Sequence, residues 1–112
     1  MGDRISFSFR GKYDRESVSF FAHWTGRHML KHVEDYYEEL INEMEPGKTT
    51  HPLDRLEPEI VMLDFIKWFF KDEIFGKGRI QSSYYLGKDS SDGDNSDNGH
   101  WVFDLQKGKW VY

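Results

Sequence analysis

Four side chains in this 112-residue sequence are best suited by type to move a proton or hold an anion: His23, Arg55, Glu57 and His100. Each falls at the end of a predicted element rather than inside an apolar or solvated stripe, and element ends are where sites are built. His23 precedes a Trp24-Thr25-Gly26 turn, Arg55 and Glu57 precede a helix opened by Pro58, and His100 leaves an acidic loop beside Asp97. Brought together they would supply an imidazole oriented by a carboxylate, plus a guanidinium, the parts of a general acid–base or phosphate-binding site. That expectation is a small hydrolase or phosphate-handling enzyme. The competing reading is that polar residues at loop ends satisfy backbone groups. The sequence favours the latter and leans away from an enzyme.

A second chemistry lies in the loop 89–99, where Asp89, Asp92, Asp94, Asp97 and the amide of Asn98 form an oxygen-rich set of the kind Ca²⁺ prefers. Asp92, Asp94, Asp97 and Asn98 are the candidate ligands. Counted as an EF-hand from Asp94, the loop puts Ser96, Asn98 and Gly99 where that motif needs them, but Leu105 stands where its bidentate glutamate belongs. Strands rather than helices flank the segment. The simpler expectation is a solvated hairpin loop, mobile without a cation, whose Asp, Asn and Gly residues cap backbone amides.

His28 and His32 are four apart, a spacing that puts two imidazoles on one helical face, with Asp35 and Glu39 continuing the row. Met29 stands where a zinc protease needs its glutamate, and the row lies opposite an apolar stripe, so it is expected to face water. Arg4, Arg10, Lys12 and Arg15 make the first hairpin basic, and Phe7 and Phe9 could in principle stack on bases. They alternate in phase with Ile5, however, which assigns them to the core and argues against nucleic acid.

The elements that must position these groups follow from periodicity. Residues 4–13 alternate Ile5, Phe7, Phe9 against Ser6, Ser8, Arg10, and residues 17–24 form a second β-branched and aromatic run, together a predicted antiparallel hairpin. Thr25 reads as the cap of an amphipathic helix that runs to Met44 and ends at Pro46-Gly47. From Ile60 to Phe70 nine of eleven residues are apolar, which predicts a deeply buried helix from Pro58 to Ile74 around which the fold is organised. Strands at 79–86, 100–105 and 110–112 complete the order ββααβββ, the third and fourth joined as a long hairpin. The class expected is therefore α+β in two layers, a five-stranded antiparallel sheet with both helices on one face, as a single domain over residues 1–112.

With 15 Lys and Arg against 20 Asp and Glu the net charge of −5 gives no general attraction to nucleic acid or anionic lipid. The absence of cysteine excludes a disulfide scaffold and a thiolate nucleophile. With no apparent leader, a cytoplasmic location is expected and no membrane partner. Aromatic residues make up 17% of the chain, more than a minimal core requires. An open sheet edge bearing Tyr84, Tyr85 and the C-terminal Trp110-Val111-Tyr112 would be a template for a protein partner or a second copy of the chain. These residues specify no reaction. The function they favour is a small interaction module that works, and self-associates, through its sheet, with no resident cofactor unless the loop takes Ca²⁺.

Overall fold

A computed structural model of the protein describes residues 2–44, 51–71 and 83–111. The strands are β1 (Ile5–Arg10), β2 (Ser19–Ala22), β3 (Tyr84–Gly87), β4 (His100–Asp104) and β5 (Lys109–Trp110), and the helices are α1 (His28–Glu43) and α2 (Pro58–Phe69). The expected order and the α+β class are both present. The sheet runs β3-β2-β1-β4-β5, and three of its four pairings are antiparallel.

The fourth pairing departs from expectation. β4 lies parallel to β1, with Ser6 opposite His100, Phe7 opposite Trp101 and Phe9 opposite Phe103. No hairpin joins β3 to β4. Because β3 occupies the outer edge of β2, the next strand must find the remaining edge of β1, and the acidic loop crosses the sheet to reach it. It crosses on the face away from the helices and returns to the end of the sheet where β3 began, so β4 runs parallel to both β3 and β1.

Alternation sorts the side chains between the two faces. Ile5, Phe7, Phe9, Phe20, Ala22 and Phe103 point to the helices and join Met29, Val33, Tyr36, Leu40, Val61, Met62 and Phe65 in one buried cluster. Phe65 sits at its centre, with its ring centroid 5.3 Å from Phe7, 5.8 Å from Phe20 and 5.4 Å from Tyr36. Trp110 closes the far side against Phe103 and Phe7 and donates its indole N–H to Glu34 of α1 at 2.8 Å. The C-terminal tryptophan thus completes the core instead of leaving an aromatic edge open; Tyr112 lies outside the described residues.

Three helix expectations need correction. α1 starts at His28, two residues later than a Thr25 cap implies, after a turn that Gly26 makes at φ +54 with Asp3 packed directly over it. The row His28, His32, Asp35 and Glu39 does not simply face water: the His32 ring meets Phe69 edge-on at 5.2 Å and Glu39 accepts the Trp68 indole N–H at 3.0 Å. α2 is also less buried than its composition predicts. It rests one side on β1 and another on α1, burying Pro58, Val61, Met62 and Phe65, and two neighbours cannot wrap a cylinder that is apolar nearly all round. Ile60 and Leu63 are left 47% and 70% exposed.

Candidate functional site

The structure scatters the acid–base candidates. His23 lies beyond β2, where its carbonyl accepts the Asp3 amide and its ring lies 5.0 Å from that of Trp24. Arg55 and Glu57 form a 4.0 Å ion pair beside Pro58, which packs against Gly11 just past the other end of β1. Six strand residues separate these two ends, about 20 Å at roughly 3.3 Å each. His100 sits between them on the helix-free face and hydrogen-bonds to neither group.

What His100 does touch is a set of residues that sequence reasoning missed. Its Nδ1 is 2.7 Å from Ser6 Oγ and its Nε2 is 3.2 Å from Ser8 Oγ. Ser8 Oγ donates to Glu16 at 2.8 Å, and Ser6 Oγ receives the Asn95 amide at 2.8 Å. A hydroxyl has one proton, so Ser8, having given its own to Glu16, accepts from Nε2–H, and the bare Nδ1 accepts from Ser6. The chain then reads in one direction from Asn95 to Glu16 and fixes a neutral Nε2–H tautomer. Burial lowers the His100 pKa below its ordinary value, with Glu16 and Asp89 pulling weakly the other way.

Ser–His–Glu is a set that elsewhere builds a nucleophile, but here Ser6 and Ser8 are 0% and 1% exposed. A nucleophile must reach its substrate. A cleft of about 380 Å³ does open beside His100, lined by Arg10, Glu16, Lys88, Asp89 and Val102, yet neither serine oxygen faces it. Both imidazole nitrogens and both hydroxyls are engaged with one another. The network fastens the crossing loop to the sheet.

The acidic loop is fastened in the same way. Asp92 accepts the Lys88 amide at 2.6 Å, and Asp94 accepts both the amide and hydroxyl of Ser96. Arg4 pairs with Asp94 at 3.0 Å and with Asp97 at 3.6 Å, and its amide also donates to Asp97. Asn98 spends its amide N–H groups on Asp3 and the Arg4 carbonyl. The hydrogen bonds from Ser96 hold the Asp94 carboxyl below its usual pKa, as those from Ser91 do for Asp89. Among the described residues no group of three or more His, Asp or Glu is placed to share a cation. Asp92, Asp94, Asp97 and Asn98 are thus turned toward Arg4, Ser96 and backbone amides. Tyr85 stacks flat on Phe21 at 4.9 Å, and its hydroxyl accepts the Asp94 amide, so the loop covers only part of the aromatic surface on the helix-free face and leaves Tyr85 38% exposed.

The polar candidates therefore satisfy one another, and the apolar surface on α2 does not. Ile60, Leu63 and Ile66 line a hollow of about 410 Å³ with Leu53, flanked by Asp64 and Lys67. Asp64 is committed inward, accepting the Tyr36 hydroxyl at 2.8 Å, and burial with this carboxylate pushes that hydroxyl's pKa up. Leu63 has no such inward role. Leucine at 70% exposure, with isoleucine one turn away on the same helix, is a contiguous apolar surface rather than a scattered residue. A signal for it was present in the sequence: an almost wholly apolar helix of twelve residues in a small two-layer fold has more apolar circumference than one sheet and one helix can cover. Comparison with family models, curated proteins and solved structures finds no match to this chain, so the reading below rests on geometry.

Proposed function

We propose that the protein is an interaction module and that the outer face of α2 is its contact surface. The observation that carries this is the 70% exposure of Leu63 beside Ile60 at 47%. Full burial of such a side chain is worth about 1.5–3 kcal/mol, and a partner recovers the share that the monomer leaves in water. The polar groups that could instead support a reaction are engaged with one another, as described for Ser6, Ser8 and His100. No described helix is long and apolar enough to cross a membrane.

A photo-reactive amino acid placed at position 63 tests the reading in the native host. It should give a discrete crosslinked protein that disappears when Ile60 is changed to Glu, whereas no discrete product at 63 would sink it. A second reading keeps the sheet as the contact. β3 pairs only with β2 among the described strands, and Leu86 on it is 52% exposed, so strand addition there is the alternative. The same probe at position 86 separates the two.

A further inference from the structure

The outward row of α2 has an internal symmetry. Counting from Leu63, Ile60 and Ile66 lie three residues before and after it, and Glu59 and Lys67 lie four before and after. At 100° per residue Leu63 defines the middle of the row, with the two isoleucines about 60° to either side and the two charges about 40° to either side. The apolar positions are thus symmetric about Leu63 and the charged ones antisymmetric. A two-fold axis passing beside Leu63 would pair two such helices antiparallel. Leu63 would meet Leu63, each Ile60 would lie level with the other protomer's Ile66, and each Glu59 level with the other's Lys67. A surface that carries its own complement in both shape and charge is what an isologous interface requires.

We infer, resting on the reading of α2 as the contact surface, that its partner is a second copy of this chain, docked antiparallel about Leu63. Both charges are available for it. Glu59 is 47% exposed at its side chain and is steadied by Arg15, whose Nη2 lies 3.1 and 3.3 Å from the two carboxylate oxygens. That leaves lone pairs for a second cation and keeps the carboxylate at the end of the row. Lys67 stands at the rim of the apolar hollow. A single helix row is a small interface, so the association is weak and concentration-dependent, and the reciprocal Glu59–Lys67 pairs set its direction more than its strength.

Charge exchange tests this with sedimentation velocity at low salt, each variant first checked for an unchanged melting temperature. Glu59→Lys alone places two cations level with one another, and Lys67→Glu alone places two anions. Each should weaken self-association by roughly tenfold or more, since like charges oppose each other at both ends. Mixing the two single variants should restore association, because every level then carries one charge of each sign. The double variant should restore it within one chain. If neither the mixture nor the double variant recovers while the probe at position 63 still captures a protein, the second-copy inference fails and α2 serves another partner. If the wild-type chain stays monomeric and position 63 captures nothing, the interaction reading fails with it.

Discussion

His100 shows how a residue with catalytic chemistry can be fully occupied by structure. Its neutral ring is the middle link between Ser6 and Ser8, and protonating it puts a proton on the nitrogen that must accept from Ser6. Because burial lowers its folded pKa below the ordinary 6.5, the unfolded chain binds the proton more readily. Its contribution to stability is therefore full above about pH 6.5 and is lost as the pH falls through the folded-state value. Thermal melts of the wild type and His100→Asn between pH 7.5 and 5 should differ more at the alkaline end. Equal differences across the range would mean that the ring is not held neutral. Arg4 makes the companion case. Changing it to Met removes the cation that pairs with Asp94 and Asp97, so backbone amides of residues 94–99 should exchange faster with solvent. Millimolar Ca²⁺ should leave the wild-type amide shifts of the loop in place, since its carboxylates already have partners; shifts saturating below a millimolar would restore the cation reading.

At the scale of elements the two sides of α2 separate stability from association. Phe65, fully buried against six aromatic rings, should lose about 3–5 kcal/mol on change to Ala. Leu63, two residues away, should lose about 0.5 kcal/mol or less as a monomer, because most of its surface is already in water. Denaturant titrations of the two variants check the contrast, and equal losses would place Leu63 in a core. Element type and order were legible in the sequence because Ile5, Phe7 and Phe9 alternate cleanly and because Pro58 opens an apolar run. The parallel β1–β4 pairing was not, since nothing in a polar loop says whether it turns back or crosses a sheet. Ser6 and Ser8 held the missing information: small hydroxyl residues on a strand offer hydrogen bonds to polar side chains laid over them, here those of Asn95 and His100. Nor could residue type show that His23, Arg55, Glu57 and His100 would be spread along the sheet, because convergence depends on strand order and not on proximity to element ends.

For the whole molecule the division of labour is between a face crossed by a polar loop and one that ends in aliphatic side chains. The helix-free side of the sheet is crossed by a loop whose carboxylates and amides bond to Asp3, Arg4, Ser6 and Tyr85, with a cleft left open beside His100. The helical side ends in Ile60 and Leu63, exposed in the monomer. Part of the surplus aromatic content, which suggested an interface through the sheet, goes into the core, as with Phe65 and Trp110, and part onto the helix-free face, as with Phe21 and Tyr85, while Trp24 and Tyr13 stay 60% and 93% exposed. Among the described residues Leu63 is the most exposed large aliphatic side chain. The most direct measurement is the sedimentation-equilibrium mass of the wild type and of Leu63→Glu across a hundredfold range of concentration. The wild-type mass should climb from that of one chain toward that of two, while the variant, with an unchanged melting temperature, stays at one. Identical curves for the two proteins would contradict the assignment of α2 as the surface through which this protein associates.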